Sequence, residues 1–239
     1  MRLLIIDEIH LLSDDRGPVL ESLIARTMRQ SETSHDYIRI VGLSATLPNY
    51  KDVGATLRVS QNNGLYYFDQ SFRPVPLRQI YCGVTEKKGV RKMMMINEIL
   101  YEKVMERVSN NQMIIFVHSR RDTVRTAQYL KDTAYSKNES YKIIRPDSEN
   151  KKILEALVES KDSENKSISN IKSEDLKQLL PEGVGIHHAG LSRSDRDTVE
   201  NLFANKNINI LVSTATLAWG VNLPAYTVMI KGTQVYSPE

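Results

Sequence analysis

Two successive carboxylates, Asp7 and Glu8, close the apolar run Leu3-Leu4-Ile5-Ile6 and are followed by Ile9-His10. Such a run reads as a buried strand of a parallel sheet, apolar on both faces. Ligands of these sheets sit beyond the carboxyl ends of the strands, so the pair falls where a nucleotide would lie. An Asp there can hold magnesium against the β- and γ-phosphates, and the adjacent Glu can orient and deprotonate the attacking water. A strand that ends in a solvated acidic turn explains an isolated Asp-Glu pair equally well.

Four further apolar segments end in compact polar motifs. Residues 38–43 run into Ser44-Ala45-Thr46, and 112–117 into His118-Ser119-Arg120. Residues 183–187 lead into His188-Ala189-Gly190, and 208–212 into Ser213-Thr214-Ala215-Thr216. The elements between them must set these ends side by side. Val19, Leu20, Leu23, Ile24 and Met28 recur at helical spacing behind Pro18, and a short helix is expected over 49–57 with a strand at 65–68. That order is β-α-β-α-β, a parallel sheet covered by helices. Pro74 and Pro76 stiffen residues 72–77, read as a linker between a first domain (1–71) and a second (78–239). An ordinary loop inside one domain is the other reading of that stretch.

In the second domain the pattern predicts an entry strand at 77–84, helices over 91–108 and 122–134, a short helix at 176–180 and a last strand at 226–230. Met93, Met94 and Met95 read as packing rather than a cofactor box. Ser192 can cap a helix running to residue 203, with Asp195 completing a capping box. Residues 136–175 are rich in Lys, Asn, Ser, Glu and Asp, with apolar periodicity only at Ile153, Leu154, Ala156, Leu157 and Val158; they read as a charged surface insert that holds one or two short helices and a mobile stretch at 161–169 and tolerates shortening.

Composition bounds the reading. The 239 residues are 41% hydrophobic and 26% charged, as in an ordinary soluble globular protein. A formal charge of +3 is too small to imply nucleic acid, so that claim must rest on local sites. One cysteine, Cys82, allows no intrachain disulfide and suits a reducing compartment. No apolar run approaches the roughly 18 residues of a membrane span, and no membrane partner is expected. His10 and His118 have no cysteine cluster to join, which disfavours zinc.

Five strand endings in this order resemble superfamily 2 helicases of the DExH superkiller-like group. DEIH is similar to motif II, Ser44-Ala45-Thr46 to motif III, Phe116 to Arg120 to motif IV, His187 to Gly190 to the segment after it, and VSTATLAWGVNLPA to motif V. The stretches IIDEIHLLSDDRGPVLES, VGLSATLPNY, FRPVPL and IKGTQVYSPE resemble the spliceosomal members of that group, which unwind paired small nuclear RNAs. The resemblance spares only about residues 136–175. Intact DEIH and SAT are similar to an active N-terminal cassette rather than a degenerate one.

The resemblance implies tandem RecA-like α/β domains that use ATP and magnesium, with RNA and spliceosomal proteins as partners in the nucleus. It implies that Asp7 reaches magnesium through water, that Glu8 is the general base, and that His10 couples the nucleotide site to motif III. Ser44, Ala45 and Thr46 would relay the nucleotide state. Ser119, Arg120, Gly190, Thr214 and Thr216 would line the RNA backbone, where hydroxyls, amides and an arginine suit phosphate without reading sequence. Gly220 and Asn222 would face the nucleotide. Each residue has a plainer reading, since Ser44 and Thr46 can cap a turn and His187 or His188 can be a satisfied core histidine.

No G-x-x-x-x-G-K-[ST] loop occurs in the 239 residues. In the family that loop lies upstream of DEIH and the arginine-finger motif lies downstream of motif V. The chain is therefore expected to be a fragment whose two RecA-like domains are incomplete. It is expected not to hydrolyse ATP alone and to end inside a strand-separating hairpin, with residues 233–239 extended. A non-catalytic helicase-like module that binds RNA or protein stays open as another class, as does a DNA helicase of the same group.

Overall fold

A computed structural model describes residues 2–34, 37–45, 47–109, 111–159, 171–220 and 222–232. Thr46 and the tail 233–239, which carried expectations above, lie outside the described residues, as does 160–170. The chain divides into two compact units, residues 1–81 and 82–239. The division falls inside 73–88, which carries Pro74 and Pro76 and has no regular structure.

In the first unit β1 (Leu3–Ile6) pairs in parallel with β2 (Arg39–Gly42), Leu3 opposite Arg39 and Ile6 opposite Gly42. Parallel pairing needs a crossover, and α1 (Gly17–Ser34) supplies it. α2 (Tyr50–Thr56) follows β2. Ile6, Ile9, Ile24 and Leu57 form the core, with Leu4, Leu20, Met28, Ile40 and Val53 packed against them. β1 is thus covered on the face of Leu4 and Ile6 only; Leu3 and Ile5 are 49% and 57% exposed, which corrects the expectation of a strand buried on both faces.

The strands expected at 65–68 and 77–84 are absent. Both stretches are apolar, yet neither has a ladder partner among the described residues, and a strand exists only by pairing. Tyr66, Tyr67 and Phe68 are exposed, Tyr67 stacking on Tyr50 with 5.1 Å between ring centroids.

The second unit holds a four-stranded, wholly parallel sheet of β3 (Met113–Val117), β4 (Val184–His187), β5 (Ile210–Thr214) and β6 (Thr227–Ile230) in the order β4-β5-β3-β6. β4 and β5 are buried at every position, as their unbroken burial on both faces requires. Among the described residues β6 is an edge, with Val228 and Ile230 turned outward. α3 (Gly89–Met105), α4 (Arg120–Ser136), α7 (Glu174–Leu179), α8 (Arg193–Ala204) and α9 (Thr216–Gly220) flank the sheet. Met93, Met94 and Met95 are 52%, 62% and 39% exposed, so they are not core packing.

Residues 136–159 are more than a surface insert. They fold into the short helices expected there, α5 (Ser140–Ile143) and α6 (Glu149–Glu159), but Ile143, Leu154 and, beyond them, Ile171 enter the main core. A few well-spaced apolar residues serve a core even where the average composition is polar.

The capping box at α8 is half formed. Ser192 Oγ accepts from Asp195 N at 3.1 Å, as expected. The Asp195 carboxylate instead accepts from Lys172 N at 3.0 Å and Ser173 N at 3.2 Å, and the residue is 2% exposed. It ties the chain entering α7 to the first turn of α8. Asp195→Ala is expected to cost about 2–3 kcal/mol, since two partly buried amides lose their acceptor together. Urea unfolding measures it, and a cost under about 0.5 kcal/mol would show that water replaces the carboxylate freely.

Candidate functional site

In a parallel sheet every strand delivers its carboxyl end to the same edge, so the polar motifs gather there. In the first unit, β1 ends in Asp7-Glu8 and its neighbour β2 in Leu43-Ser44-Ala45. The two ends are joined by Leu43 N donating to Ile6 O and Ile9 N donating to Leu43 O, both at 2.9 Å. Asp7 and Glu8 are exposed, and Asp7 Oδ1 accepts from Glu8 N at 2.9 Å. Glu8 has φ 55° and ψ 44°, the left-handed region that a non-glycine residue enters at some cost. This turn redirects the chain into a 3-10 helix, Ile9–Ser13, whose Ile9 is buried. His10 Nδ1 lies 3.3 Å from Glu8 Oε2, an ion-pair distance without hydrogen-bond alignment. Ser44 and Ala45 are exposed beside them.

In the second unit, three strand ends carry the other candidates. Ser119 follows β3 and caps α4, its Oγ accepting from Asp122 N at 3.1 Å. Arg120 opens that helix and is exposed. After β4, Gly190 N donates to His188 Nδ1 at 3.1 Å. A Cβ on Gly190 would stand 3.2 Å from Arg120 Cδ and 3.1 Å from His188 Nδ1, so Arg120, His188 and Gly190 form one cluster. Thr214 Oγ1 lies 2.9 Å from Thr216 Oγ1 at the end of β5. Gly220 closes α9, and Asn222 is exposed just beyond it.

Burial, then the positive charge of Arg120, holds His188 below the usual imidazole range. The geometry agrees, because Nδ1 accepts an N–H and the ring proton then sits on Nε2. Arg120→Ala is expected to raise the His188 pKa toward its ordinary value, read from the imidazole NMR titration. No movement would separate the two side chains.

Three partners were not legible in the sequence. His187 is 3% exposed and its Nε2 lies 2.7 Å from Glu200 Oε1, which makes it a core histidine beneath the edge. Asp195 faces backbone 22 and 23 residues away. Lys231 Nζ reaches Asp122 Oδ1 at 3.2 Å and Thr126 Oγ1 at 2.7 Å. Glu200 lies off the face that Thr198, Val199, Leu202 and Phe203 bury, so helical spacing alone does not foretell its contact with His187.

Two α/β units with acidic, hydroxyl and arginine groups at the carboxyl ends of parallel strands define a RecA-like helicase architecture. Comparison with known families agrees: residues 1–53 match the DEAD/DEAH box helicase model and 156–239 the helicase conserved C-terminal domain. The chain thus carries matches to both helicase families, and over its whole length it is similar to DExH-box helicases. It is 54% identical, over all 239 residues, to the U5 small nuclear ribonucleoprotein 200 kDa helicase of Homo sapiens, covering 11% of that protein. It is likewise 54% identical to the DExH-box ATP-dependent RNA helicase DExH13 of Arabidopsis thaliana, of which it covers 10%. To the pre-mRNA-splicing factor brr2 of Schizosaccharomyces pombe it is 53% identical, again over the whole chain and 10% of the relative. The chain therefore spans about a tenth of the length of these relatives.

Proposed function

We propose that this chain supplies part of the motor of an ATP-dependent RNA helicase that acts in nuclear pre-mRNA splicing, with spliceosomal proteins and paired small nuclear RNAs as partners. The observation that carries the reading is the pairing of the Asp7-Glu8 turn with the Ser44-Ala45 strand end through the Leu43 and Ile9 backbone bonds. A carboxylate pair held that rigidly against a second polar motif suits a nucleotide site linked to a relay.

Glu8 would take a proton from the water that attacks the γ-phosphorus. The new O–P bond forms as the bridging P–O bond breaks, and ADP and phosphate leave. His10 stands close enough to Glu8 to orient it, and Ser44, Ala45 and Thr46 would pass the nucleotide state onward. Asp7 would hold magnesium through water; magnesium, when bound, neutralises charge on the phosphates. The residues fit that role: Asp7 and Glu8 are adjacent and exposed at the end of β1, and magnesium in such sites needs one or two carboxylates with phosphates and waters. Gly220 and Asn222 would contact the nucleotide. Ser119, Arg120, Gly190, Thr214 and Thr216 would line the RNA backbone: all but the buried Thr214 are exposed, and hydroxyls, an amide and a guanidinium suit phosphate rather than base edges. No helix of the described residues is long and apolar enough to cross a membrane.

The test is ATP turnover by the full-length protein with single-stranded RNA or DNA of equal length. Stimulation by RNA supports the reading. Equal stimulation by DNA would move it to a DNA helicase, and no ATP turnover with either would make it a non-catalytic module.

A further inference from the structure

Lys231, the first residue beyond β6, has only 7% of its side chain exposed. An ammonium that deep is costly unless it is paired. Its partners are Asp122 Oδ1 at 3.2 Å and Thr126 Oγ1 at 2.7 Å, both on α4 and more than a hundred residues away in sequence. The main chain is anchored as well: Lys231 N donates to Phe116 O at 3.0 Å, which extends the β3–β6 ladder by one bond. At Gly232 a Cβ would stand 2.1 Å from His118 Nε2, so only glycine lets the backbone pass this close to the ring. The end of β3, the first turn of α4 and residues 231–232 are one block.

That block contains an electrostatic conflict. Asp122 sits in the first turn of α4, where a helix favours negative charge. A phosphate arriving at Ser119 and Arg120 would be drawn to the same amides and repelled by the carboxylate. We infer that Lys231 is a positioning residue that neutralises Asp122, so that the first turn of α4 can receive an RNA phosphate at Ser119 and Arg120. The inference rests on the RNA-backbone reading of those two residues. Lys231 is nearly enclosed and its charge is committed to Asp122, so it acts through Asp122 and not by touching RNA.

The test uses the 239-residue chain, a fluorescein-labelled 20-nucleotide oligouridylate and anisotropy at low and physiological salt. Lys231→Met, which keeps the length and apolar stem, is expected to weaken binding about tenfold at low salt and by less at higher salt. Adding Asp122→Asn is expected to restore binding to within about twofold, because the offending charge goes with its partner. Lys231→Arg should bind like the unmodified chain. A double variant as weak as Lys231→Met would overturn the inference, since Lys231 would then contact phosphate itself; so would a Lys231→Met chain that binds normally. Thermal unfolding gives an arm independent of RNA: Lys231→Met should lower Tm by about 5–10 °C, and the double variant should lower it less. Additive losses in that cycle would overturn the pairing. If the unmodified chain binds no RNA while the cycle shows coupling, the backbone reading of Ser119 and Arg120 fails and the phosphate role of Lys231 falls with it.

Discussion

Glu8→Gln is expected to lower RNA-stimulated ATP turnover of the full-length protein by about 10²–10⁴-fold, the usual contribution of a positioned general base. The amide keeps the size and shape of the carboxylate and loses its basicity. Glu8 is exposed, and the turn is shaped by its left-handed backbone and by the bond from its own N–H to Asp7 Oδ1, so the fold should not notice the change. Binding should therefore outlast chemistry, with ATP and RNA retained together on the variant. Single-turnover kinetics and nucleotide binding separate the two effects. A variant that turned over ATP within about threefold of the unmodified protein would assign the base elsewhere. Weaker ATP binding without a fall in kcat would make Glu8 a binding group.

Leu154→Ala should have the largest effect on stability. Leu154 is fully buried in the main core, although the surrounding residues 136–175 are rich in polar and charged side chains. Removing a buried leucine to alanine costs about 2–5 kcal/mol, because transfer energy is lost and a cavity remains. In a unit of this size that corresponds to a fall in Tm of about 5–15 °C. Exposed Lys152, on the same helix, serves as the control: Lys152→Ala should change stability by no more than about 0.5 kcal/mol. Scanning calorimetry of both variants decides it. Equal Tm values would mean that α6 is not part of the cooperative core.

Much of the architecture was legible because it is written in short-range pattern. Residues 113–117, 184–186 and 210–212 carry no polar side chain and run into polar residues, and the chain makes a parallel strand of each. Asp7, Glu8, Ser44, Ser119, Gly190 and Thr214 could be placed at strand ends for the same reason. Ser192 could be read as a cap, since capping depends on neighbours three residues away. Pairing is not short-range. The apolar stretches 65–68 and 77–84 have strand composition and no ladder partner, so their composition misled. The apolar periodicity of Ile153 to Val158 was legible, but the polarity around it hid that Leu154 enters the main core, for which one residue in the right helical phase is enough. The Asp195 carboxylate serves the backbone of Lys172 and Ser173, and Lys231 neutralises a carboxylate 109 residues before it. A side chain's own neighbours determine its local conformation, whereas a buried charge must be satisfied by whatever the chain path brings beside it, and only the tertiary structure decides that.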